Sequence, residues 1–599
     1  MVFGTEAECR SAIDPATFDS NLSALTVAQP ETARRFRAAR PPAPLERADA
    51  EDGGTTFRWR DAEGRIRWLG RTTMPSIRAQ ALAEAFIDGG CNALIDGIGA
   101  GDEARRLLGR LLPHQAVFVL DKHPWQAAAA LRRIDVAKFI LGGRLLIFVG
   151  DDDWEQLQSF LIHHPGYVEP QRVLAWPFWE PPDVAAVQDS LRGIHDVVGR
   201  ARHEVRSALS DLLEAPRPAS ATKSLAVVTA ATDRPSLRTV RVLEAAAQSA
   251  GWRALGVAPD GPASCHPCGV ESRLVEAAPT HCVLVNQIRR ELTCRLPKAA
   301  TATIWTRTAL PPDGFLDDAK GVDRAGVRTA AQRVRLVERG VAEDRIRVLP
   351  PAAQVGLADL SSPEARQIMV IGDAPPSEAE DVGLHLPTHA RLWRAARETI
   401  ASGPDRYLDD DAEAILRKAT DHVKIRIEEQ SVAEGLASRV RRYLLPGVVQ
   451  RSFVKALVDA GIEFDLYGDG WEAVDGMESR FCGPTPAGAA WRKALGRCGL
   501  AVFPGTSGEV CDEMMDAAAA GLAVAVRRHP VDATPDGLTA VLNPSEDIWH
   551  FDSRKGLVEL AREFLKRPGS FVDRAGATSA MINERHTWDR RLKSLWPDA

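Results

Sequence analysis

Residues Val502–Val526 read VFPGTSGEVCDEMMDAAAAGLAVAV. An apolar strand ends in a Gly/Ser loop. Glu509, Asp512, Glu513 and Asp516 then crowd the start of a helix, an alanine run follows, Gly521 stops the helix, and a second apolar strand begins at once. Strand, loop, helix and strand in so short a span predict a parallel β–α–β crossover. In sheets of that kind ligands bind outside the carboxyl ends of the strands, where glycine lets backbone N–H groups approach phosphate.

The same alternation runs outward through most of the chain. Its 599 residues exceed what one hydrophobic core serves, so roughly three or four domains are expected. Residues 1–80 are a mixed α/β extension with a hairpin about Asp61–Gly64. Residues 81–215 alternate helix and strand (NALIDGIGAGD, AVFVLDKHP, RLLIFVGDD) and predict a Rossmann-like domain. EAPRPASATKS is a linker. A second α/β unit spans 224–355 and a third 366–599, the third holding FDLYGDGW, LAVFPG and LAVAV as strands. The expected class is multidomain α/β.

Composition excludes several functions. Charged residues are 26% of the chain and the net charge is −6, which gives no electrostatic reason to bind nucleic acid. No apolar run reaches the roughly 18–20 residues of a membrane span. MVFGTEAECRSAID lacks the basic start and apolar centre of a signal peptide. Nine cysteines, sparse and odd in number, argue against a disulfide framework. A cytoplasmic protein is the expectation. Cys265 and Cys268 form CHPC, but Cys282 and Cys294 do not complete a zinc spacing, so the pair reads as a loop with two incidental thiols and no metal is expected.

Two loops of the third unit follow strands and carry glycines: Gly468 and Gly470 in YGDGW, and Gly505, Thr506, Ser507 and Gly508 in PGTSG. Glu509, next to that loop, is a further donor-binding candidate, while a carboxylate in the first helical turn, as at Glu509 and Asp512, is also what the macrodipole favours without any ligand. Asp516, one turn further in, is expected to face the loop and to suit the paired hydroxyls of a ribose better than a phosphate. A diphosphate needs positive charge, for which Arg451, Lys455, Arg391, Arg441 and Arg442 are candidates.

EVCDEMMDAAAAG resembles the donor-site helix of GT-B glycosyltransferases, enzymes of two Rossmann-like domains facing a cleft, with Asp516 where their pattern has Glu. The segment from LYGDGW through FCGPTP, Trp491 and VFPGTSGE resembles the CgeB-like spore-protein branch. An Arg that this branch often carries three residues before the acid is Glu513 here. The resemblance covers about 220–590. It implies a nucleotide-sugar donor, Asp516 on the ribose, and backbone about Gly505–Gly508 on base or diphosphate. It further implies transfer of a hexose-like sugar to a hydroxyl of a protein or glycan, with retention, no metal and no resident cofactor. No catalytic base is identified.

The N-terminal half carries its own signal. Gly97, Gly99 and Gly101 follow the strand ALID, and Asp121 ends the next strand, 24 residues after Gly97. That is the layout of a nucleotide-binding Rossmann turn, and equally of an S-adenosylmethionine pocket. The region from FDSNLSALTVAQPETARRF to LIDGIGAGDEARRLLGRL also resembles the motility accessory factor (Maf) proteins, implicated in flagellin glycosylation, which implies an acceptor-recognising domain. Two alternatives stand beside the transferase: a GT-B-like binding protein without activity, and a methyltransferase centred on Gly97–Asp121.

Overall fold

The structure, a computed structural model, describes residues 15–86, 92–112, 114–174, 181–214, 223–229, 234–258, 261–287, 301–305, 323–358, 360, 362, 364–374, 387–408, 411–486, 488–505, 510–534 and 537–595. The described chain falls into two compact units, one drawn from 1–240, 254–282 and 289–301, the other from 241–253, 283–288 and 302–599.

In the first unit, helices Pro15–Ala28 and Pro30–Ala38 precede an antiparallel meander of β1 (Glu46–Asp49), β2 (Thr55–Arg60) and β3 (Ile66–Trp68). The β2–β3 turn is the hairpin at Asp61–Gly64. The Asp61 carboxylate accepts from the N–H groups of Glu63 and Arg65, and Gly64 supplies a φ of 77°. Then come β4 (Ala93–Asp96), β5 (Val117–Asp121), β6 (Leu145–Val149) and β7 (Val173–Leu174), all paired in parallel in the order β6-β5-β4-β7. Every residue of β5 and β6 is buried, as continuous apolar runs with both faces covered require. One face packs on Leu25, Phe36, Leu107 and Ile134; on the other, Phe118 and Phe148 meet Leu191, Ile194 and Val198 of the long helix Pro181–Glu214.

Six strands follow in the middle of the chain: β8 (Ser224–Val228), β9 (Arg253–Val257), β10 (His281–Val285), β11 (Thr301–Trp305), β12 (Arg324–Val327) and β13 (Ile346–Val348). Their order is β13-β12-β11-β10-β8-β9, and β11, β12 and β13 pair in parallel.

The last sheet is built from β14 (Gln367–Ile371), β15 (Asp465–Tyr467), β16 (Phe481–Gly483), β17 (Cys498–Phe503), β18 (Ala523–Arg527) and β19 (Trp549–Phe551). It runs β16-β15-β14-β17-β18-β19 with every pairing parallel. Numbered along the chain this is 3-2-1-4-5-6, the doubly wound dinucleotide-binding order. Period-two alternation sorts its residues between two cores. Ile368, Val370, Leu500 and Val502 enter the core roofed by helices Pro387–Ala401, Leu445–Asp459 and Arg554–Lys566; Met369, Ile371, Ala501 and Phe503 enter the core under Gly488–Leu495, Asp512–Ala519 and Gly569–Arg585.

The chain end closes back on β11 and β12. Ala353 bridges Thr587, Trp588 N–H donates to the Ala353 carbonyl (3.0 Å), and the buried Trp588 indole meets Trp305 edge to face with centroids 5.1 Å apart. Arg324 Nη1 donates to the Leu595 carbonyl (2.7 Å). Trp588→Ala is therefore expected to lower stability by about 3–5 kcal/mol, the range for truncating a buried aromatic. A urea midpoint left unchanged by the substitution would show that this closure is idle.

Candidate functional site

In the 3-2-1-4-5-6 order the connections leave strands 1 and 4 toward opposite faces, so a crevice opens at their carboxyl ends. Here those strands are β14 and β17. The first runs into Gly372-Asp373-Ala374 and the second into Pro504-Gly505. Next door, the Tyr467–Trp471 turn is tied to the β14 turn. Gly372 N–H donates to the Tyr467 carbonyl (3.0 Å), Asp469 N–H to Asp373 Oδ1 (2.9 Å), Ala374 N–H to the Asp469 carbonyl (2.7 Å) and Trp471 Nε1 to the Gly372 carbonyl (2.6 Å).

The glycines of that turn serve this tie. Gly468 has φ 149°, and a Cβ there would overlap the Gly372 carbonyl; Gly470 has φ 84°, and a Cβ would stand 3.3 Å from Ala374 Cβ. Packing therefore accounts for the glycines at both positions, since the two turns pass at van der Waals distance, independently of any ligand contact made by their backbone. Gly468→Ala should destabilise by roughly 1–3 kcal/mol through backbone strain and overlap. Calorimetry giving an unaltered Tm would overturn that account.

One residue missed in the sequence reaches the crevice. A Cβ added to Gly372 would lie 2.5 Å from Gln450 Oε1, and that oxygen is buried without a hydrogen-bond donor among the described residues. Its neighbour Arg451 is exposed on helix Leu445–Asp459, and Lys455 is paired with Asp459 at 3.0 Å. Arg391 and Arg441 are also exposed, and the Arg442 side chain lies outside the described residues. Gly505 is half-buried with open space beside it, whereas Thr506, Ser507, Gly508 and Glu509 lie outside the described residues.

Asp516 stands elsewhere than expected. Its side chain is 0% exposed. Oδ1 accepts from Gln354 N–H (2.8 Å), and Oδ2 accepts from Gln354 Nε2 (2.8 Å) and Trp491 Nε1 (2.9 Å). The placement at a cleft mouth is therefore corrected: the helix Asp512–Ala519 lies with Ala517, Ala518 and Ala519 fully buried, and Asp516 is turned with them into the interior. Asp512, 5% exposed, is likewise buried in the first turn, with Glu513 half-buried beside it. Removing the carboxylate leaves one buried donor, on Trp491, and two half-buried donors, on Gln354, without this acceptor, so Asp516→Ala should cost about 2–4 kcal/mol. A denaturation midpoint within error of wild type would be the contrary result.

Facing residues come from the ends of β12 and β13. Thr329 caps the helix Ala330–Glu338 by accepting from Gln332 N–H (3.2 Å), and the Arg328 guanidinium donates to the Val510 carbonyl beyond β17. With Pro350, Pro351, Gly537 and Ala540 they frame a narrow crevice.

In the first unit, Gly97, Gly99 and Gly101 have φ of 80°, 65° and 97°, and Gly97, Gly99 and Asp121 border a cavity of about 450 Å³ at the carboxyl ends of β4 and β5. Gly101 packs elsewhere, its missing Cβ leaving room for Ile134 Cδ1 at 3.0 Å. The Asp121 carboxylate accepts from His123 N–H (2.9 Å) and Ile98 N–H (3.2 Å); burial pushes its carboxyl up to about 7 against the pull of those two donors. At the start of helix Asp102–Arg110, Glu103 is fully buried, accepts from Ala100 N–H (3.2 Å) and lies 3.6 Å from Arg78 Nε. Burial pushes its carboxyl to about 7 as well, with Arg78 opposing.

A carboxyl raised from 4.5 to about 7 binds more protons folded than unfolded, so its contribution is full below about pH 4.5 and is lost as pH rises through 7. Glu103→Gln should remove that component. Wild type should lose Tm relative to the variant between pH 4.5 and 7, and parallel curves would refute the assignment.

Among the described residues no group of three or more His, Cys, Asp and Glu is placed to hold a metal. Cys265 is half-buried, and Cys268 is buried in helix Pro267–Ala277, whose N-cap His266 accepts from Cys268 N–H. No described helix is long and apolar enough to cross a membrane.

Residues 441–596 match the family model described as glycosyl transferase-like. That segment holds Gln450, the Gly468–Trp471 turn, Gly505 and Asp516. No curated protein matches the chain in sequence. Among solved structures, TarM is 11% identical over 53% of this chain and 54% of its own, with a TM-score of 0.29, so the chain spans about half of that protein. HepE of Anabaena, solved with UDP and glucose, is 10% identical over 63% of this chain and 99% of its own (TM-score 0.35), and WaaG, a glycosyltransferase involved in lipopolysaccharide biosynthesis, is 10% identical over 62% and 98% (TM-score 0.34). Likenesses at this level carry no conclusion about substrate or reaction.

Proposed function

We propose that the protein is a glycosyltransferase that moves a sugar from a nucleotide-sugar donor to a hydroxyl of a protein or glycan. The observation that carries the reading is the glycosyl transferase-like match over 441–596, which falls on the segment that closes the switch-point crevice between β14 and β17. In this reading the donor lies across the turns Gly372–Ala374 and Pro504–Gly505. Backbone N–H groups and the Gln450 carboxamide orient it, and Asp516 acts as a positioning residue through Gln354 and Trp491. Departure of a nucleoside diphosphate builds negative charge, which oriented N–H groups and cations offset without a metal. Transfer with retention then needs no separate base, because the leaving phosphate can take the proton of the acceptor hydroxyl; holding donor and acceptor in register supplies much of the acceleration. The CgeB-like and Maf-like resemblances are kept as part of this proposal, with a hexose-like sugar and a surface or flagellar acceptor.

A second reading, a binding protein without turnover, is favoured by one observation. Asp512 and Glu513 occupy the first turn of the helix after β17, where a donor phosphate gains from positive charge.

The two readings separate in a transfer and hydrolysis assay against UDP, GDP and CMP sugars. Turnover of one donor, with kcat/KM about ten-fold lower in Gln450→Ala as for one lost hydrogen bond, is the expected result. Binding without turnover would select the second reading, and neither binding nor turnover would overturn both.

A further inference from the structure

The first unit holds a second cavity with the features of a ligand site. Counted along the chain, β6-β5-β4-β7 is the order 3-2-1-4, so β4 and β7 flank a topological switch point. The cavity of about 450 Å³ lies at the carboxyl end of β4, where such sheets receive ligands, and its volume is in the range of a nucleoside-sized guest. Strand ends contribute Asp96 and Asp121, the segment after β3 contributes Arg71 and Arg78, Lys122 follows β5, and Trp154 offers an indole.

The glycine turn itself is spoken for. In dinucleotide-binding folds the pyrophosphate sits on the N-terminus of the helix after the first strand. Here Glu103 fills that place. Its carboxylate takes the Ala100 N–H, and Gly99 has no Cβ because one would stand 2.6–2.8 Å from the same carboxylate. Asp102 is buried alongside, paired with Arg133 Nη1 at 2.9 Å. The N–H group an anion would use at the helix start is thus already taken. Positive charge is supplied instead by the side chains Arg71, Arg78 and Lys122. Arg78 is also engaged with Glu103 and the Gly70 carbonyl and is largely withdrawn from solvent, whereas Arg71 and Lys122 line the same cavity and are both exposed.

We infer that this cavity binds a nucleoside 5′-phosphate, its ribose hydroxyls toward Asp96 and Asp121, its base against Trp154 and its phosphate met by Arg71 and Lys122 rather than by the helix N-terminus. Carboxylates at strand ends accept hydroxyl protons well and phosphate badly, which fixes the ligand's polarity in the cavity. The site is independent of the crevice between β14 and β17 and would give the chain a second nucleotide position.

Calorimetric titration of the full-length protein with 5′-UMP, 5′-AMP, adenosine and S-adenosylmethionine tests this. Arg71→Gln/Lys122→Gln alters two exposed side chains, and circular dichroism checks that the fold is kept. The double variant should lose one equivalent of bound 5′-nucleotide, or bind it at least ten-fold more weakly, while Gln450→Ala should leave that equivalent in place. Unchanged nucleotide binding in the double variant would overturn the proposal. So would adenosine binding as tightly as 5′-AMP, or S-adenosylmethionine binding where 5′-nucleotides do not. Loss of turnover in Gln450→Ala with this equivalent retained would leave the inference standing apart from the transferase reading.

Discussion

A single buried carboxylate fixes the geometry on which the C-terminal half depends. Asp516 has no exposure and takes N–H groups from two distant parts of the chain, Gln354 beyond β13 and Trp491 on the helix before β17. Hydrogen bonds to a charged acceptor contribute about 1.5–3 kcal/mol each, and the penalty for a buried carboxylate without them is larger still. The connection between the middle and last sheets therefore cannot slide without stranding a charge. This is a device for register more than for bulk stability, since an apolar cluster of equal volume holds as well but tolerates shifts.

That constraint explains why the remaining contacts between the two β-sheet regions agree. Residues just before Gln354 carry the bridge from Ala353 to Thr587, and one residue on, Trp588 lies against Trp305. Arg328 reaches the Val510 carbonyl two residues ahead of helix Asp512–Ala519. Each is a local bond; together they hold the ends of β12 and β13 toward the end of β17.

Much of the fold was legible in the residues, and the reasons for the rest are physical. LAVFPG and LAVAV read as strands because long apolar runs covered on both faces leave no other reading. RAGV, FCG and WHF, the strands β12, β16 and β19, are three or four residues long and carry no periodicity, so parallel neighbours rather than sequence define them. Position 516 shows a subtler limit. Spacing placed an acid one turn into a helix beside a glycine loop, but which way it turns depends on partners 25 and 162 residues away, which no local pattern announces. The transferase reading consequently rests on the matched segment and the crevice of β14 and β17, and no longer on a carboxylate open to a ribose.

The two glycine turns converge on one electrostatic point. Each doubly wound sheet has a strand, a glycine-bearing loop and a helix whose first turn should welcome an anion, and in each the chain has placed acids there: Asp102 and Glu103 in one, Asp512 and Glu513 in the other. A carboxylate in a first turn satisfies the helix dipole from within and stabilises the loop without a guest. In the first sheet the Glu103 carboxylate already takes the Ala100 N–H, the position that a motif search assigns to phosphate. In the readings proposed above, a nucleotide is recognised by backbone at the neighbouring strand end and by side chains on other elements: Gln450 beside Gly372 in the last sheet, Arg71 and Lys122 in the first. A glycine pattern fixes where the chain turns, but the acids in the first turn of the helix that follows bear on whether that helix is still available to an anion.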